Sequence, residues 1–197
     1  MTTSGVHGIL HTRGARMSPL IIPTTEHPNP SAALCFVSPP LPNDVSALQF
    51  HIVSHDQGWC EDSQGGSWSW FEVSIFRPFQ PELNPTFPDV NDRVLLESHP
   101  EDFGTMIQEL GFYFADIPRE NSEPGNIVLP PATSLFLISN TVNPKWEHHL
   151  VTWTLGQESG AGSQFLSLLE EGDRVAVWAR AQVRSFPEYQ LGVSVPC

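Results

Sequence analysis

Nineteen prolines and fourteen glycines punctuate a chain of 197 residues, and this punctuation limits what the chain can fold into. Proline removes a backbone donor and clashes with the preceding helical turn, so few windows sustain a 3.6-residue period. What survives between the breaks alternates with period two. "ALQFHIV" (47–53) sets Leu48, Phe50 and Ile52 against Gln49, His51 and Val53. "WSWFEVSIF" (68–76) places Phe71, Val73 and Ile75 on one face. "KWEHHLVTWTL" (145–155) sets His149, Val151, Trp153 and Leu155 against His148, Leu150, Thr152 and Thr154. "DRVAVWARAQV" (173–183) turns Val175, Val177, Ala179, Ala181 and Val183 one way. "ATSLFLIS" (132–139) reads as a largely buried strand and "YQLGVSV" (189–195) as the last one. Short strands with Gly/Pro turns predict an all-β fold, an antiparallel β-sandwich of jelly-roll type with one or two short helices.

The expected organisation is an irregular N-terminal arm over 1–46, then a β-sandwich domain over 47–197 with a long insertion at 79–131. "PTTEHPNP" and "SPPLPND" in the arm are turn-like and polyproline-like, but the apolar "AALCFV" between them argues that part of the arm packs on the domain. Inside the insertion, "PEDFGTMIQEL" (100–110) predicts a short helix with Phe103, Ile107 and Leu110 on one side. "SQFLSLLEE" (163–171) predicts another, ending at Gly172.

Nine basic residues against twenty-two acidic ones give a net charge of −13. Such a surface repels phosphate backbones and anionic headgroups, so neither nucleic acid nor a membrane is an expected partner. No apolar run approaches the roughly 20 residues of a membrane span, and the opening residues lack a secretory pattern. With three cysteines at irregular spacing, the expectation is a cytoplasmic protein with free thiols.

The second face of these strands is the unusual feature. It carries Gln49 and His51; Trp68, Trp70 and Glu72; His148, Thr152 and Thr154; and Arg174, Trp178, Arg180 and Gln182. Flat aromatic surfaces beside fixed donors and acceptors are how ligand pockets are lined. Trp68, Trp70 and Trp178 would stack a small apolar or aromatic ligand, with Gln49, Thr152 and Gln182 beside it. Arg180, His51 or His148 would polarise a carbonyl, and Glu72 would orient one of them. Two other readings stand beside this one: a loop that simply covers the tryptophans, and an Arg180 that neutralises Glu72 as a structural pair. Adjacent strand residues point to opposite faces, so His148 and His149 cannot share a metal. No metal-ligand spacing, nucleophile elbow or phosphate loop occurs, so no metal and no cofactor are expected. A homodimer is compatible with these features.

The pieces "DQGW", "SWSWFE" and "GDRVAVWARAQ" resemble a β-sandwich domain widespread in filamentous fungi, sometimes found after ankyrin repeats. The resemblance covers about half the chain in two blocks and departs after Gln182, where the text runs "VRSFPEYQLG". It implies a sandwich like that of carbohydrate-binding modules. It gives a fold and not a reaction; by analogy alone with small β-proteins of fungal secondary metabolism, the expected activity is that of a cofactor-free cyclase or pericyclase, of hetero-Diels–Alder type, acting on terpenoid or polyketide substrates. A lectin-like carbohydrate-binding module and a protein-interaction domain are the alternatives.

Overall fold

"RVAVWARA", Arg174–Ala181, is buried at every one of its eight positions. A strand with no exposed face must be covered on both sides, and this strand is the middle of the molecule. In the computed structural model the described residues are 20–23, 31–55, 69–88, 96–97, 99–118, 132–140, 145–156, 160–181 and 192–195. Their strands are β1 (Leu20–Pro23), β2 (Ser31–Val37), β3 (Ala47–Ser54), β4 (Ser69–Pro78), β5 (Leu96–Glu97), β6 (Phe112–Phe114), β7 (Leu135–Ser139), β8 (Glu147–Thr154), β9 (Arg174–Ala181) and β10 (Gly192–Val195). Two short helices accompany them, α1 (Gly104–Glu109) and α2 (Ala161–Ser167).

The architecture is an antiparallel, sandwich-like all-β fold. The central sheet runs β5-β2-β9-β4-β6, and β7 also pairs with β4. Because β4 is ten residues long, its outer edge serves two partners in succession: β7 along Trp70–Val73 and β6 along Phe76–Pro78. β3 and β8 form a separate two-stranded ribbon, and β1 pairs with β10.

Period-two alternation sends the central strands' side chains into two different cores. On one face Ala33, Cys35, Phe71, Val73, Ile75, Val175, Val177, Ala179 and Ala181 pack with Phe50 and Ile52 of the ribbon and Phe165 of α2. On the other face Ala32, Leu34, Phe76, Ala176 and Trp178 pack with Phe103, Ile107 and Phe112 from the insertion. The insertion is therefore a covering layer. Its helical segment begins as a 3-10 turn at Pro100–Phe103 and continues as α1, burying the predicted Phe103 and Ile107. Gly111 (φ 88°) then supplies the left-handed turn that a side chain disfavours, and leads into β6.

Three expectations are corrected. "AALCFV" is not part of an irregular arm: it is β2, an interior strand whose residues Ala32, Ala33 and Cys35 are fully buried between β5 and β9. "LFLIS" is not largely buried, because β7 covers only half of an edge and leaves Phe136 56% exposed. The second helix starts earlier than predicted, at Ala161, and ends at Ser167; Gly172 (φ 86°) instead turns the chain into β9.

Buried polar groups tie the layers together. Arg77 donates from Nε and Nη2 to the two carboxylate oxygens of fully buried Asp173, both at 2.9 Å, and to the Leu168 carbonyl at 2.7 Å. That paired carboxylate raises the Arg77 pKa above the usual arginine value. Arg174 has no such counter-charge among the described residues. It donates to the carbonyls of Ser38 and Pro85, both at 3.0 Å, and lies 5.5 Å over the Phe112 ring. Burial pushes its pKa down. Between β3, β4 and β7, Ser54 donates to the Asn140 amide oxygen, and the Asn140 amide donates to Ser69 Oγ at 3.1 Å.

Candidate functional site

On β4, Trp70 and Glu72 are two residues apart and share a face, which lets the indole Nε1 donate to Glu72 Oε1 at 2.7 Å. β9 brings Arg180 directly opposite Trp70. Its Nη1 donates to Glu72 Oε2 at 3.1 Å, and its guanidinium lies 5.4 Å over the Trp70 ring. Ser134, just before β7, donates to the same Oε2 at 2.8 Å. The carboxylate thus has donors on both oxygens from three chain segments.

A fifth side chain completes the cluster. Arg180 Nη2 lies 3.3 Å from Nδ1 of His99, at the start of the insertion's 3-10 turn. Guanidinium nitrogens only donate, so the His99 Nδ1 accepts and Nε2 carries the ring proton. The His99 backbone N–H donates to Asp102 Oδ2 at 2.8 Å and the ring accepts the Asp102 N–H, a capping box that holds the imidazole in place.

The members of the cluster differ in burial. Arg180 is 4% exposed and the Glu72 side chain 15%, and Trp70 is half-buried. Taking an ion pair this far out of water costs about as much as the attraction returns, so such a pair is a weak source of stability. It is a strong source of orientation. Two donors and an acceptor are held rigidly beside a flat aromatic surface.

Of the residues expected on one continuous face, the structure brings together Trp70, Glu72 and Arg180. Trp178 shares their side of the sheet, opposite Glu72, but not their surroundings. It is fully buried against Phe76, Phe103 and Phe114 at 4.9 to 6.3 Å between ring centroids, and its indole N–H donates to Ser74 Oγ at 2.9 Å. The expectation that it stacks a ligand is corrected: the insertion already occupies that surface. Arg174 is likewise spent on backbone carbonyls. Gln49, His51, His148 and Thr152 lie elsewhere, exposed on the outer side of the β3–β8 ribbon. Those two strands alternate as their spacing says, but the ribbon turns its apolar side to the central sheet, so its polar side faces away from Trp70. The predicted catalytic grouping of His51 and His148 with Arg180 and Glu72 does not form. Trp68 and Gln182 lie outside the described residues.

His99 and Ser134 are the members that sequence reasoning missed. "HPED" holds a signal for His99, a cap followed by Pro and an acid three residues on. Nothing local marks Ser134.

Among the described residues, no group of three or more His, Cys, Asp or Glu side chains is placed to hold a metal ion, and no helix is long and apolar enough to cross a membrane. No family model, curated protein or solved structure matches the chain.

Proposed function

We propose that this protein binds a small, largely apolar or aromatic ligand at the Trp70–Glu72–Arg180–His99 cluster and acts on it without a cofactor, as a ring-closing catalyst. The observation that carries the reading is the convergence of indole, carboxylate, guanidinium and imidazole, from β4, β9 and the insertion. A ligand bound beside Trp70 would lie next to Arg180 and His99. Donors already held in place stabilise charge that develops on a carbonyl oxygen, because they need no reorganisation during the reaction. Holding two ends of one substrate in near-attack geometry supplies the rest of such catalysis. Cyclisation and cycloaddition require no nucleophile and no metal, which suits a site built from these groups. By analogy alone with small β-proteins of fungal secondary metabolism, the proposed substrates are terpenoid or polyketide.

A second reading has its own observation. Gln49, His51, His148 and Thr152 lie exposed on one side of the ribbon with Leu150, 65% exposed, and Trp146, 47% exposed. An open face of that kind suits a sugar or a protein partner.

Tryptophan fluorescence separates the two. Conjugated polyenones and polycyclic ketones are expected to quench emission saturably in the parent protein and weakly in Trp70→Ala and Arg180→Lys. Incubation with a polyenone should yield a cyclised product. Saturable binding of oligosaccharides, abolished by Gln49→Ala with Thr152→Ala and untouched by Trp70→Ala, would replace the first reading with the second.

A further inference from the structure

We propose that His51 and His148 form a two-histidine site for a borderline divalent cation, zinc above all, on the outer side of the β3–β8 ribbon. In the ribbon's register His51 faces Leu150 and Val53 faces His148, so the two histidines are diagonal neighbours on one side. Their rings stack with centroids 5.6 Å apart and planes 28° apart, and His51 Nε2 and His148 Nδ1 share a hydrogen bond at 3.4 Å in which one ring donates and the other accepts. Both side chains are exposed.

That separation is the bite of a tetrahedral ion. Two imidazole nitrogens bound at about 2.0–2.1 Å with a tetrahedral angle between them lie roughly 3.3–3.4 Å apart. A right angle, as in octahedral or square-planar geometry, would bring them to about 2.9 Å. At zinc-length bonds the spacing therefore suits a tetrahedral ion, and magnesium and calcium are disfavoured because they take oxygen ligands. Backbone pairing on either side of the two positions fixes their separation, so little ordering remains to oppose binding. Around them the same side carries Gln49 and Thr152, joined at 3.4 Å, and the apolar Val53 and Leu150. His55 is engaged with Trp146, at 4.3 Å between centroids. With two protein ligands, the ion keeps positions open for water or an incoming ligand. A net charge of −13 raises the local concentration of cations. The site is independent of the Trp70 cluster, because the ribbon's apolar side and the central sheet lie between them.

The test uses full-length, metal-free protein with Cys60→Ser and Cys197→Ser, so that thiolates elsewhere do not compete. Calorimetric titration is expected to show one saturable zinc site and no magnesium site. Zinc at about ten times its dissociation constant should raise Tm by roughly 3–6 °C. His51→Asn and His148→Asn each remove the chelate, weakening zinc binding on the order of 100-fold. Electron paramagnetic resonance of the copper-loaded protein should show coupling to two nitrogens, reduced to one in either variant. Zinc affinity and copper spectra unchanged in both variants, or no saturable binding at millimolar zinc, would overturn the proposal. Because both side chains are exposed, circular dichroism of the metal-free variants should match the parent, so loss of binding reports on the site and not on folding.

Discussion

Trp70 and Arg180 face each other across the β4–β9 pair, with the guanidinium carbon 5.4 Å from the centre of the indole. The ring covers one flat side of a cation whose edge is taken by Glu72. This arrangement makes Trp70 both a wall of the candidate site and a shield for its charge. Trp70→Ala is expected to weaken ligand binding at least tenfold while costing about 1–2 kcal/mol of stability. Trp70→Phe keeps the stacking surface but removes the donor to Glu72, and should fall between the two. Fluorescence or calorimetric titration beside urea denaturation separates the effects; equal affinity in Trp70→Ala would remove the indole from the site.

Glu72 is the only carboxylate paired with Arg180 among the described residues. Glu72→Ala breaks that pair at a guanidinium only 4% exposed, so it should cost about 3–5 kcal/mol. Replacing both, as Glu72→Leu with Arg180→Met, should cost markedly less than the sum of the single changes. A double-mutant cycle in urea measures that coupling. Additive costs would mean that the pair is not a unit.

Trp178 gives the opposite pattern. Surrounded by Phe76, Phe103 and Phe114, it is fully buried between the sheet and the insertion. Trp178→Ala is expected to cost about 3–5 kcal/mol, and Trp178→Phe less. The folded fraction of Trp178→Phe should retain parental ligand affinity. A stable Trp178→Ala with impaired binding would return this indole to the ligand face.

Two glycines differ in what surrounds them. A Cβ on Gly162 would lie 2.3 Å from the Trp153 ring, against which α2 is seated, whereas one on Gly104 meets nothing within 4 Å. Gly162→Ala is therefore expected to destabilise by about 1–3 kcal/mol. Gly104→Ala, in the first turn of α1, should stabilise by about 0.4–1 kcal/mol. Thermal melts of the two variants should move in opposite directions.

Strand parity was legible in the chain because a half-buried strand must alternate. Phe71, Val73 and Ile75, and Val175 through Ala181, point where their spacing says. Spacing alone therefore sets Trp70, Glu72 and Arg180 on one side of a sheet. What spacing cannot carry is which layer a strand joins. His51 and Arg180 occupy equivalent positions in their own alternations, yet one looks outward from the ribbon and the other beneath the insertion. The role of "AALCFV" was hidden for a related reason. Prolines on both sides read as irregular chain, while the partner that makes it an interior strand, β9, lies near the other end of the sequence. His99 and Ser134 enter the cluster through loops, whose paths have no period to read.

The central position of β9 also bears on synthesis. β2 and β4 leave the ribosome long before the strand that separates them; Ser74 and Trp178, joined by a hydrogen bond, are 104 residues apart. Until β9 emerges, β2 and β4 each have one apolar edge without its native neighbour. The nascent chain must therefore be kept from pairing those segments with each other or with a second polypeptide, and its yield in cells should depend on the chaperones that hold it.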